Sequence, residues 1–116
     1  HLAHMLAPIA AARVGASGWS SIGILAGATW PAEANALRAT LPNAPFLVPG
    51  FGAQGAGAEK ALAGLVRSQN HWQGGLINST RGLIFPESAR DASSLDAWHN
   101  AILAKIDADK QVLNSI

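Results

Sequence analysis

The feature that most restricts the fold is an alternation. Three short apolar runs are each closed by a loop of small or turn-forming residues, and a segment of helical character follows each loop. Before the first run, Leu2, Met5, Leu6, Ile9 and Val14 recur at helical spacing, which predicts an amphipathic helix from residue 2 to about 14. Glycines in residues 15–18 break it. Residues 22–26 are apolar and end at Gly27, as suits a buried strand. Thr29 or Trp30 then caps a helix with Pro31 and Glu33 in its first turn. Its apolar face is Ala34, Leu37 and Leu41, and it stops before Pro42. Residues 46–48 form the next strand, cut off by Pro49-Gly50, and the glycine-rich loop GFGAQGAG covers residues 50–57. A helix is expected from about 58 to 68, and a third strand over 76–79, ending in Thr80-Arg81-Gly82. The last helix starts near Ser93 or Ser94, with Ser93 and Asp96 as a capping box. Its apolar face is Leu95, Trp98, Ile102, Ile106 and Leu113.

Strand–loop–helix repeated three times implies parallel strands joined by helical crossovers. Three such strands do not make a well-covered sheet, and an eight-unit barrel needs about 250 residues. At 116 residues the chain holds one domain at most. It reads as an α/β fold, roughly three-eighths of a (β/α)8 TIM barrel, with a small doubly wound sheet as the alternative. Composition agrees with a partial domain. Apolar residues make up 49% and charged residues only 13%, about half the usual charged share. A small domain has proportionally more surface and should carry more charge, not less. Burial of much of this surface against something absent from the sequence explains the deficit.

The net charge of +1 and eight scattered Lys and Arg residues give no footprint for nucleic acid or anionic membrane. Zero Cys excludes disulfides, thiolate metal sites and a Cys nucleophile, and is neutral about compartment. No apolar run approaches the roughly 20 residues of a membrane span. The opening HLAHMLAPIAAA lacks a basic leader, so helical spacing explains it better than a signal peptide. A chain that starts at His1 is expected to be a processed, tagged or partial product.

The functional loops of such a barrel leave the C-terminal ends of its strands. Here these are Gly27-Ala28-Thr29, residues 49–57 and residues 79–82. The second combines four glycines with the amide of Gln54. Glycine lets backbone N–H groups approach an anion, and a following helix N-terminus adds favourable partial charge. The third places Arg81 just past a strand, and a guanidinium is a rigid fork for phosphate oxygens. In (β/α) barrels phosphate commonly sits between the loops after strands seven and eight, and the last two loops fit that arrangement. Each piece alone is weak, since glycine-rich loops are mostly plain turns and lone arginines mostly solvated charges. At successive strand ends they favour phosphate binding.

Acids and bases point elsewhere. Lys60, Lys105 and Lys110 lie on predicted helices, as do Glu33, Glu59, Asp96, Asp107 and Asp109, leaving Glu87 and Asp91 after Pro86. None stands at a strand end. His1 and His4 share a helical face without a third metal ligand. His71 and His99 have no evident partner, and Trp19, Trp30, Trp72 and Trp98 read as packing residues. The result is a binding half without a reacting half.

The stretch FLVPGFGAQGAG, with GATWPAEANALRATLP before it and LINSTRGLIF after it, resembles the orotidine 5′-phosphate decarboxylase family over residues 15–86. The resemblance is to the subclass with a PG-x-GAQG loop and a final S-[ST]-RG motif. It implies the C-terminal part of a (β/α)8 barrel, with residues 1–116 as a single partial domain. Gln54 and Arg81 would contact the substrate phosphate, and backbone groups around Ala53, Gly55 and Thr80 would complete the cradle. Pro49 and Phe51 would line the pocket beside pyrimidine and ribose. The family further implies a cytoplasmic, usually homodimeric enzyme with no metal or organic cofactor. It would convert orotidine 5′-phosphate to UMP and CO2 in pyrimidine biosynthesis, with the missing N-terminal part of the barrel as an obligatory partner. The departures are specific. Nothing matches the family's Lys/Asp network, and the strand supplying a pyrimidine-reading hydroxyl would lie upstream of His1. Phe51 is bulkier than the expected aliphatic residue, and Ala56-Gly57 stands where Gly-Asp or Gly-Ser is usual. Two other readings stay open: a non-catalytic phosphate-binding or interaction module derived from the barrel, and another barrel enzyme acting on sugar phosphates.

Overall fold

A computed structural model describes residues 1–52 and 56–116. In chain order its elements are α1 (Leu2–Ala11), β1 (Ile24–Leu25), α2 (Pro31–Thr40), β2 (Phe46–Pro49), α3 (Ala58–Leu62) and β3 (Val66–Ser68). Then come β4 (His71–Gln73), β5 (Gly75–Asn78), α4 (Thr80–Ile84), a 3-10 turn at Glu87–Ala89 and α5 (Leu95–Asn114). The three apolar runs pair as a parallel sheet in the order β1-β2-β5. Ile24 lies opposite Phe46, Leu47 opposite Leu76, and Pro49 opposite Asn78. All three C-terminal ends therefore meet at one edge, as the alternation predicts.

One face of this sheet is packed and the other is bare. Phe46 and Val48 point into a core shared with Ala10 of α1, Ala34 of α2, Ala61 and Leu62 of α3, and Leu41, while Leu113 of α5 packs at its margin. On the opposite face the register aligns Leu25, Leu47 and Leu76 in one row, and they are 65%, 45% and 74% exposed. Parallel sheets are ordinarily covered on both faces, and a doubly wound sheet would place helices on each. Helices on one side only, over a row of leucines, is the arrangement of a barrel wall seen from its empty interior. The outward side of α1 is apolar as well, with Leu2 and Met5 largely exposed.

Local chemistry explains most boundaries. Pro31 at the first helical position, preceded by Trp30 at the cap, starts α2 as expected. The first helix ends at Ala11, three residues early, because Ser20 closes it: its Oγ donates to Ala10 O at 2.8 Å, taking a carbonyl the helix end leaves orphaned. The expected Ser93–Asp96 capping box gives way to Ser94, whose Oγ accepts the Ala97 N–H at 3.1 Å. Leu95 is then 76% exposed and lies off the packed face of α5. Trp30 is 65% exposed and is not a packing residue, whereas Trp72 packs against the core.

The helix expected over 58–68 is the main correction. It stops at Leu62, and Val66–Ser68 turns back antiparallel on His71–Gln73. A side chain brings this about from far away. The Arg38 guanidinium donates to Gly64 O (2.8 Å), Leu41 O (3.1 Å), Pro42 O (3.1 Å), Ala44 O (2.7 Å) and Gly74 O (2.8 Å). It also lies 3.9 Å from the Phe46 ring centroid and 5.4 Å from that of Trp19. Gly64 and Gly74, which bracket the hairpin, are thereby tied to the end of α2 and the start of β2. Burial lowers the pKa of Arg38 below the ordinary arginine value. Within the hairpin, His71 Nε2 sits 2.8 Å from Gln73 Nε2. No helix among the described residues is long and apolar enough to cross a membrane.

Candidate functional site

Two chain segments converge at the C-terminal edge of the sheet. The first leaves β2 through Pro49, Gly50, Phe51 and Gly52. Gly50 and Gly52 have φ of 100° and 74°, left-handed values that a side chain would disfavour, so the chain can turn sharply on both sides of Phe51. Gly52 N–H donates to Ala56 O at 3.1 Å, which brings the described ends of the glycine-rich loop together. The Pro49 carbonyl accepts the Ala28 N–H at 2.9 Å, joining the loop after β1 to the same edge. The second segment leaves β5 at Asn78 and passes Ser79 into the five-residue helix α4. The sequence places Thr80-Arg81-Gly82 in a loop, whereas the chain turns into a short helix there. Helix α3 is equally short, so the helix-terminus contribution expected beside the glycine-rich loop is small.

Between the segments lies a cleft of about 70 Å³ lined by Pro49, Gly50, Phe51, Asn78, Ser79, Thr80 and Arg81. Four residues singled out from sequence, Pro49, Phe51, Thr80 and Arg81, thus meet around one space. Gln54, Ala53 and Gly55 lie outside the described residues. Arg81 is exposed on the first turn of α4, and its guanidinium makes no hydrogen bond or ion pair among the described residues. It is the only charged side chain in the lining among the described residues. Phe51 serves two purposes, being 7% exposed and part of the core as well as a wall of the cleft.

Asn78 and Ser79 also line the cleft and were not singled out from the sequence. The signal for Asn78 was strand alternation, which puts it on the same face as Leu76 at the strand end. Its amide nitrogen and oxygen both lie 3.3 Å from Thr80 Oγ1. Ser79 is buried, and its Oγ donates to Phe51 O at 3.3 Å.

The helical acids and bases are closer to this edge than their spacing suggests. Asp109 and Lys110 of α5 line a second cleft of about 170 Å³ that shares Phe51 and Ser79 with the first. Asp109 is paired with Lys105, and its Oδ2 is buried without a partner among the described residues. Among the described residues, the first cleft holds no lysine, carboxylate or histidine. It can hold an anion, but it has no group to move a proton. Its volume suits one small group and is well below the roughly 300–1,000 Å³ of a pocket for a whole ligand. No group of three or more His, Asp or Glu side chains able to hold a metal occurs among the described residues.

No protein-family model matches the chain. Curated proteins do. Over 68 residues it is 50% identical to the orotidine 5′-phosphate decarboxylase of Halobacterium salinarum, covering 58% of this chain and 24% of that protein. It is 40% identical over 102 residues to the Haloarcula marismortui enzyme of the same name, covering 84% of this chain and 35% of that one. The Rhodopirellula baltica protein of that name is 30% identical over 106 residues, covering 89% and 34%. The chain thus spans about a quarter to a third of the length of these relatives. Among solved structures, it superimposes on a Toxoplasma gondii protein assigned as an orotidine-monophosphate decarboxylase with a TM-score of 0.59 and 25% identity. That match covers 97% of this chain and 41% of the other.

Proposed function

Because the chain belongs to the orotidine 5′-phosphate decarboxylase family, we propose that residues 1–116 form the C-terminal, phosphate-gripping part of such a barrel. The complete enzyme would be a lyase converting orotidine 5′-phosphate to UMP and CO2, a step of pyrimidine biosynthesis. The observation that carries this reading is the convergence of two strand-end segments on a small cleft whose one charged group is an uncommitted arginine. In it, Arg81 and the Gln54 amide bind the phosphate, backbone groups of Ala53, Gly55 and Thr80 complete the cradle, and Pro49 and Phe51 continue the wall toward ribose and base. The PG-x-GAQG loop would then be the mark of the subclass.

A phosphate held here is remote from the bond that breaks. Its binding energy can offset the placing of the substrate carboxylate in an unfavourable site, which lowers the barrier rather than merely tightening binding. The chemistry itself needs groups this cleft lacks. As the C–C bond breaks and CO2 leaves, the electron pair stays on the ring carbon and takes a proton from a lysine. That lysine belongs to the part of the barrel that would cover Leu25, Leu47 and Leu76. A cytoplasmic homodimer goes with this reading. A cleft with a cation and no acid or base equally suits a non-catalytic phosphate-binding module, the second reading.

The discriminating experiment is made in a complete barrel carrying these residues. It compares kcat/KM for orotidine 5′-phosphate and for orotidine, with and without Arg81→Ala. The family reading expects turnover and a collapse of the ratio between the two substrates. A barrel that binds UMP but does not decarboxylate would leave the module reading standing. An unchanged ratio would remove the phosphate grip from both.

A further inference from the structure

We propose that Ser79 is a positioning residue that locks the two segments of the phosphate grip together, so that a phosphate monoester meets one pre-assembled site rather than two independent loops. This rests on the functional reading above. Ser79 stands in the wall between the two clefts at the strand ends, and it is 9% exposed. Its hydroxyl reaches across 28 residues of sequence to the Phe51 carbonyl, in the segment that leads to Gln54. The bond is long at 3.3 Å, so its value lies more in placement than in strength. Phe51 sits between two left-handed glycines, and the Ser79 bond adds to the core packing of its ring and the Gly52–Ala56 bond in holding that turn.

Glycines from both segments close around the same oxygen. A Cβ at Gly82 would lie 2.9 Å from Ser79 Oγ, and one at Gly52 would lie 3.7 Å from it. A side chain at Gly82 would crowd the hydroxyl, so one of the two would have to shift. One buried hydroxyl therefore bridges Phe51 and the turn bearing Arg81. Holding binding groups at fixed spacing before the ligand arrives removes an ordering cost from binding.

The test uses a complete barrel carrying this chain, with orotidine 5′-phosphate and orotidine as substrates. Ser79→Ala should lower the ratio of their kcat/KM values about tenfold, the worth of one hydrogen bond in placement. The change should appear in kcat as well as in KM, because the phosphate's binding energy is used to lower the barrier. Ser79→Thr, which keeps the hydroxyl, should restore most of the ratio. Gly82→Ala, which crowds the same oxygen, should reproduce the loss even where Ser79→Ala folds poorly. With Arg81→Ala already present, adding Ser79→Ala should lower the ratio no further, because one half of the grip is gone. Equal losses on both substrates, or a lowered Tm with the ratio intact, would make Ser79 a structural residue and end the proposal. If the ratio responds to Arg81→Ala but not to Ser79→Ala, the coupling alone fails. If it responds to neither, the phosphate grip fails with it.

Discussion

The two ends of the sheet each hold an arginine, and the two are used in opposite ways. At the N-terminal end Arg38 is half-buried, donates to five backbone carbonyls and is stacked against Phe46 and Trp19. At the C-terminal end Arg81 is exposed and has no polar partner among the described residues. Arg38 uses its donors on its own protein, whereas the Arg81 donors have no partner among the described residues. The same side chain thus marks a stability end and, on the proposed reading, a binding end, the division of labour expected of a barrel's two faces. The lesson is that an arginine's role is read from its unused donors, not from its charge.

The sharpest way to break this contrast is to remove each arginine and measure both stability and binding. Arg38→Ala removes five hydrogen bonds, leaving the Gly64, Pro42 and Ala44 carbonyls without the donor that Arg38 supplied, while Gly74 O and Leu41 O keep a backbone N–H. It should destabilise a barrel carrying the chain by about 3–5 kcal/mol in urea unfolding. Arg38→Lys keeps the charge but not the planar fork, and should recover less than half of that. A loss under about 1 kcal/mol for the alanine variant would sink the structural role. Arg81→Ala should do the reverse: stability within about 0.5 kcal/mol, and transition-state binding of the phosphorylated substrate weaker by about 2–4 kcal/mol in kcat/KM. Large unfolding effects there would erase the distinction between the ends.

Gln54→Ala removes a neutral donor from the proposed grip and should cost about 1–2 kcal/mol in the same kinetic comparison. Since it acts on the same phosphate, its effect should not simply add to that of Arg81→Ala, and strict additivity would argue against a shared ligand. The smallest expected change is Trp19→Leu. It strips one aromatic ring from Arg38 while leaving the carbonyl bonds, and should lower stability by about 0.5–1 kcal/mol. Its kinetics with either substrate should be those of the parent.

What could be read from the sequence follows the range of the interactions involved. The parallel strands and α2 announce themselves because apolar runs, Pro31 and Pro42 act within a few residues. The loop at 49–57 and Arg81 could be brought to one edge because strand-end loops share an edge once the strands are parallel, whereas Pro49, Phe51 and Thr80 were named only through the family resemblance. The β3–β4 hairpin could not, since three-residue strands carry too little periodicity. The carbonyls that shape it are tied by an arginine as many as 36 residues away. Ser79 was passed over for the same reason: it looks like the last residue of a strand, and its partner lies 28 residues earlier. Arg38 cannot be singled out from the sequence because backbone acceptors leave no mark in it.

The leucine row has a consequence for how the polypeptide behaves at concentration. Leu25, Leu47 and Leu76 form a continuous greasy strip across three strands, and β1 offers an unpaired backbone edge beside it. Such an edge is a template for other strands. A net charge of +1 supplies almost no mutual repulsion to keep copies apart. Colloidal behaviour is therefore set by whatever shields the strip: shielded, the molecule disperses, and bare, it self-associates as its concentration rises, in a manner that added salt does little to change.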